Sequence, residues 1–313
     1  MGSVLVAGAA GFVGTALARA LMKDSRVVSM VRDRTSDPSG HVVVYGDIRD
    51  ADFCRRVLAD YEVETVYHLA AQSIVSVCAE DPVTALDIAV LGTARLLQAV
   101  RDTERPIRVV CMTSDKVYGS APPPYTETTP LDARHAYEVS KACQDLVARM
   151  FHSNYELDIR VVRAVNIYGP GDTNESRLIP QTIQRCLAGV PPIIHEGAGG
   201  MRRQYIYIDD MVAALRSVLV AGRPGGIYCI GSLDAPLSVV EVMRQIAESA
   251  AHYNRGDLGP APVDVPRDAR FHEIESQAVD DSRTRKALGW APKVTFAEGI
   301  SRTVAHHHSR SRL

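Results

Sequence analysis

Ser114, Asp115 and Lys116 put a hydroxyl, a carboxylate and an amine on three consecutive residues, and Tyr137 and Lys141 follow downstream. Together these groups can carry protons to and from a hydroxyl-bearing substrate. Tyr137 and Lys141 are one helical turn apart, so on a helix both side chains share a face. The apolar run Val109-Val110-Cys111-Met112 ahead of Ser114 reads as a buried parallel strand. Strand ends in open α/β sheets are where ligands and catalytic groups gather. Lys116 is a base only when neutral, and Asp115 an acid only when protonated. As neighbours each stabilises the other's charge and opposes both roles. Desolvation under a bound ligand would reverse that preference, and the two would titrate as a coupled unit. The competing reading is a solvated ion pair capping a loop.

These groups need a scaffold. Short Val/Ile-rich runs alternate with helical periodicity through the first half of the 313-residue chain, the signature of βα units in a parallel sheet. Strands are expected over 3–7, 27–31, 42–45, 65–69, 109–113 and 159–164, and helices over 12–23, 51–60, 82–101, 136–155 and 177–188. After Tyr168 the chain turns loop-rich. Helical order resumes over 205–220, with Asp209-Asp210 as a cap, and a strand over 226–230 returns to the sheet. Ser238 and Glu241 have capping-box spacing. The reading is a nucleotide-binding domain over 1–168, rejoined by 205–232, with a smaller lobe over 169–204 and 233–313. Where the first strand meets the first helix, Gly8, Gly11 and Gly14 are suited to a tight turn, to close approach of a pyrophosphate and to helix packing on the sheet. Phe12 and Val13 then open a helix whose N-terminus favours phosphate.

Composition narrows the class. The formal net charge is −2 with 23% charged residues, which gives no polycation for nucleic acid. The apolar stretches fall short of a membrane span. The first residues lead into a strand rather than a secretion signal, so a cytoplasmic location is expected. Six scattered cysteines without a C-x-x-C pair fit reduced, buried thiols and no metal site. His306-His307-His308 reads as a frayed tail.

The spacing Gly-x-x-Gly-x-x-Gly resembles the short-chain dehydrogenase/reductase superfamily, in its extended branch acting on nucleotide sugars. Asp47-Ile48, His68-Leu69-Ala70-Ala71-Gln72, Tyr137-x-x-x-Lys141, Asn166-Ile167-Tyr168-Gly169-Pro170-Gly171 and Leu288-Gly289-Trp290-x-Pro292 match further markers of that family. The resemblance implies a Rossmann-type, doubly wound parallel sheet with a C-terminal α/β substrate lobe. It places Gly8, Gly11, Phe12, Val13, Asp47, Ile48, Leu69, Ala70 and Ala71 on a dinucleotide, together with Tyr137 and Lys141. The position where an acid would bond the ribose holds Val31, with Arg32 next. Arg32 suits a 2′-phosphate or stacking on adenine, so NADP stays open beside NAD, to which the resemblance leans. Gln72, Asn166, Arg177, Leu178, Arg203 and Arg267 fall at positions matching contacts to a nucleotide-diphosphate sugar. Gln204 departs from the family's aspartate, and Ala89 from its frequent asparagine.

In this family the tyrosine exchanges a proton with a sugar hydroxyl during oxidation at C4, the serine shares that oxygen, and the lysine holds the ribose and lowers the tyrosine pKa. Asp115 and Lys116 resemble the acid and base of 4,6-dehydratases, where oxidation at C4 enables loss of water across C5–C6 and hydride then returns to C6. Many of these read Thr-Asp-Glu; Thr113-Ser114-Asp115-Lys116 is closer to CDP-glucose 4,6-dehydratases. The alternatives are a nucleotide-sugar 4-epimerase or related dehydrogenase and, outside enzymes, a cofactor-sensing binding protein. A homodimer through 82–101 and 136–155 is also implied.

Overall fold

The fold is described by a computed structural model covering residues 2–33, 39–254, 256–266 and 274–310. A seven-stranded sheet contains β1 (Ser3–Ala7), β2 (Arg26–Val31), β3 (Val42–Tyr45), β4 (Val63–His68), β5 (Arg108–Ser114), β6 (Ile159–Ala164) and β7 (Ile227–Ile230). The order is β7-β6-β5-β4-β1-β2-β3, and every neighbouring pair is parallel. Every residue of β1 and β6 is buried, as expected for strands covered by helices on both faces. The strand order reverses beside β1, which opens a crevice beyond the carboxyl ends of β1 and β4. Two apolar clusters form the core: one centres on Leu17, Val110 and Leu215, the other on Leu58, Leu97 and Val109.

The expected strands form with shifts of one or two residues at their ends, and 226–230 returns to the sheet as β7 beside β6. Helices Phe12–Leu21, Ala51–Asp60, Ala136–Tyr155 and Leu178–Leu187 follow the expected pattern. The Ser238/Glu241 capping box is present, with Glu241 Oε2 accepting from Ser238 N at 2.7 Å. All six cysteines are free thiols, and five are buried.

Four expectations are corrected. The stretch 82–101 is not one regular α-helix: Pro82–Leu86 and Thr93–Asp102 flank a π-helical turn, Asp87–Gly92. Arg49 Nη1 donates to Asp87 Oδ2 at 2.7 Å, and a Cβ on Gly92 would lie 2.8 Å from Ile48 Cγ2. The turn is therefore held from outside the helix. The same run, Pro82–Asp102, is long and apolar enough by itself for a membrane span, against the sequence expectation. Its buried Ala85, Ile88, Ala89, Leu96 and Leu97 make it a core helix here. Asp209-Asp210 does not cap helix Ile208–Ala221, whose N-cap is Tyr207. Asp210 Oδ2 instead accepts from the backbone of Lys293 and Val294, both at 2.9 Å. Finally, His306-His307-His308 is no frayed tail but lies within helix Phe296–Arg310, with all three residues partly buried.

Candidate active site

β5 ends at Ser114 and passes directly into a 3-10 turn, Asp115–Tyr118. Ser114 Oγ accepts from Lys116 N at 3.2 Å, which closes the turn, and donates to Asp115 Oδ1 at 3.0 Å. Asp115 is 3% exposed, and its Oδ2 has no hydrogen-bond partner among the described residues. Burial pushes its carboxyl above the usual range, outweighing the opposing pull of Lys116, Ser114 and Arg203. The opposition anticipated between Asp115 and Lys116 is thus relieved on the acid's side by desolvation.

Helix Ala136–Tyr155 carries the other two groups. Its first turn is fixed by a capping box in which Glu138 Oε2 accepts from His135 N at 3.3 Å. Tyr137 is half-buried, and burial pushes its hydroxyl up to about 12, although Ser114 pulls it the other way. Lys141 is 6% exposed, and burial lowers it to about 8. Its Nζ donates to Gln144 Oε1 at 3.0 Å and to Met112 O at 3.5 Å. Burial outweighs the pull of the Arg177 guanidinium on the same hydroxyl.

One cavity of about 920 Å³ brings these residues together. Its wall includes Ser114, Lys116, Tyr137 and Lys141, with Asp115 buried beside them. The same wall holds Gly8, Gly11, Phe12, Val13, Arg32, Asp47, Ile48, Leu69, Ala70 and Ala71. It also holds Gln72, Asn166, Arg177, Leu178 and Arg203. Arg267 lies outside the described residues.

The glycine turn fits a dinucleotide. Gly8 has φ +88°, and a Cβ there would meet Ala70 N at 2.8 Å, so both the turn and the approach of β4 exclude other residues. A Cβ on Gly11 would meet only Gly8 O, at 3.4 Å, which leaves backbone open toward the cavity beside the N-terminus of helix Phe12–Leu21. Asp47 is held by Arg49, whose Nη2 donates to Oδ2 at 2.7 Å, and the guanidinium keeps the carboxyl below its ordinary value.

Among the residues that would meet the substrate, Arg177 Nη1 donates to buried Asp172 at 3.1 Å, while Arg203 is 7% exposed and donates to Glu275 O at 3.2 Å. Asn166 Nδ2 donates to Gln204 O at 3.3 Å. Gln204, which departs from the family pattern, serves the backbone: its Oε1 accepts from Val279 N at 2.8 Å. Sequence reasoning missed the layer behind Lys141, formed by Gln144, His68 and Thr93. The available signal was Gln144 standing three residues after Lys141 on a helix face already carrying chemistry.

The GDP-mannose 4,6 dehydratase family model matches residues 5–303. A dTDP-glucose 4,6-dehydratase of Xanthomonas campestris pv. campestris is 32% identical, over 97% of this chain and 92% of the relative. A UDP-glucose 4-epimerase of Mycolicibacterium smegmatis is 30% identical, over 98% and 99%. Among solved structures, the dTDP-glucose 4,6-dehydratase DesIV of Streptomyces venezuelae, with NAD and TYD bound, superposes with a TM-score of 0.87 at 30% identity, covering 99% of this chain and 98% of DesIV. With the parallel sheet, the glycine turn and the Tyr137/Lys141 pair in place, the chain belongs to the GDP-mannose 4,6 dehydratase family, within the extended short-chain dehydrogenases/reductases.

Proposed function

We propose that this chain is a nucleotide-sugar 4,6-dehydratase using NAD, converting an NDP-hexose to an NDP-4-keto-6-deoxyhexose. The observation that carries the reading is Asp115: a carboxyl raised by burial, one residue from Lys116 on the cavity wall, at a strand end facing Tyr137. The Gly8–Val13 turn, Asp47-Ile48, Leu69-Ala70-Ala71 and Lys141 would hold NAD, which would supply a hydride acceptor for C4 and a hydride donor for C6. Tyr137, in its phenolate form, takes the O4 proton, with Ser114 hydrogen-bonded to the same oxygen. A ketone at C4 acidifies C5–H, and Lys116 removes that proton. Asp115, whose carboxyl burial pushes above its ordinary range, gives its proton to the departing 6-hydroxyl. Arg177 and Arg203 take the diphosphate, since guanidinium groups stay charged and bond it in a bidentate manner; Gln72, Asn166 and Leu178 line the same cavity. Arg267 keeps this role as an expectation.

A 4-epimerase is the second reading, favoured by the mycobacterial relative. Purified protein is offered dTDP-glucose, CDP-glucose, GDP-mannose and UDP-glucose, and products are weighed. Loss of one water from one of them is expected; the resemblance of Thr113–Lys116 favours CDP-glucose, and the curated relatives' names favour dTDP-glucose. A C4-deuterated substrate should give product labelled at C6. An isomer of unchanged mass with label kept at C4 would mean epimerisation, and no turnover would favour a cofactor-sensing protein.

A further inference from the structure

The buried face behind Lys141 is polar, and the steps above use none of it. Gln144, His68 and Thr93 are each 0% exposed. Lys141 Nζ and the Gln144 amide are 3.0 Å apart, the amide and His68 Nε2 3.1 Å, and His68 Nε2 and Thr93 Oγ1 2.7 Å. An ammonium has only donors, so the amide must turn its oxygen to Lys141 and its NH₂ to His68. His68 Nε2 must then accept from the amide, since the Thr93 hydroxyl beside it gives its one proton to Ala89 O at 2.5 Å. The imidazole proton is thereby placed on Nδ1, which has no partner among the described residues. A buried donor left unsatisfied is a cost that packing alone does not explain.

We propose that Gln144 is a positioning residue for the lysine: its amide oxygen aims the Lys141 ammonium and keeps it charged, and His68 prevents the amide from turning over. The proposal rests on the dehydratase reading only for the use made of Lys141. The titratable groups facing Lys141 offer no counter-charge. From β4, His68 is held neutral by burial, its pKa lowered to about 3. From β5 and helix Val75–Glu80, Cys111 and Cys78 are pushed up to about 12 and about 11. On its own helix, Tyr137 is likewise raised to about 12. Among the described residues, the groups hydrogen-bonded to the charge are neutral dipoles, Gln144 Oε1 and Met112 O.

The chain has five lysines, Lys23, Lys116, Lys141, Lys286 and Lys293, so a protein labelled with [ε-13C]lysine gives few signals, and Lys141→Met assigns the one of interest. In Gln144→Met, of similar shape but without the acceptor, its titration midpoint should fall by about one pH unit from wild type. In Gln144→Glu it should rise. With the nucleotide sugar that wild type converts, Gln144→Met should lose about tenfold in kcat at neutral pH with KM unchanged, and Gln144→Glu should recover most of it. A Lys141 midpoint that stays put in Gln144→Met overturns the proposal. Should that variant melt at a lower temperature, Gln144→Glu decides: an upward shift supports the role and no shift overturns it. Wild type inactive on every sugar would remove the dehydratase reading and leave the lysine titration standing.

Discussion

Adjacent side chains at the end of β5 meet different surroundings: Asp115 is buried, while Lys116 faces the cavity. Lys116→Ala should abolish exchange of the C5 proton with solvent deuterium. Asp115→Asn should keep that exchange and slow water loss by about 100-fold or more. The raised carboxyl also acts on stability. Its folded pKa exceeds the unfolded 3.8, so its contribution is intact below that value and is lost as pH rises through the folded pKa. Asp115→Asn should therefore melt higher than wild type at pH 7, with the advantage gone near pH 3.5, as read by calorimetry. Among the residues that would meet the cofactor, Val31 offers no carboxylate to repel a 2′-phosphate, and Arg32 is exposed on the cavity wall. Arg32→Ala should weaken NADP binding about tenfold in a fluorescence titration and leave NAD nearly unchanged. The residues touching the cavity were mostly legible in the sequence, because glycines at a strand–helix junction and a tyrosine–lysine pair one turn apart encode local geometry. Gln144 and His68 were not, because they meet only after helix Ala136–Tyr155 packs on β5, the strand beside β4.

Among the elements, the parallel strands were readable from apolar runs and the long helix from periodicity. The π-turn Asp87–Gly92 was not, since its cause, the contacts of Asp87 with Arg49 and of Gly92 with Ile48, is remote in sequence. Asp210 misled for the same reason: its partners lie more than eighty residues away. A further remote contact fixes the catalytic turn. Arg163 on β6 donates to Asp145 through Nε at 2.7 Å and Nη2 at 2.9 Å, and its Nη1 donates to Tyr118 OH at 3.0 Å. Both charged side chains are within 1% of full burial. Asp145→Ala strands a buried guanidinium and should cost about 3–5 kcal/mol in urea unfolding. Because Tyr118 closes the turn that holds Asp115 and Lys116, activity should fall with it.

At the scale of the molecule, helices Pro82–Leu86 and Ala136–Tyr155 pack side by side and leave Val83, Leu146 and Met150 exposed, Val83 by 75%, and Leu91 on the adjoining π-turn is exposed as well. Apolar side chains gathered on one surface mark an interaction face, and we propose that a second copy of this chain covers it. Light scattering should show a dimer, and Leu91→Glu combined with Leu146→Glu a monomer; a wild-type monomer at micromolar concentration would contradict the assignment. One of the helices behind this face has a particular tolerance to changes in length. A π-turn holds one residue more than an α-turn of similar rise. Deleting Leu91 should let Asp87–Gly92 close into ordinary helix while Ala85 on one side and Leu96 on the other keep their directions. The same deletion within Thr93–Asp102 would swing every later side chain by about 100°. The run from Pro82 to Asp102 thus has one position at which it can shorten without losing its phase.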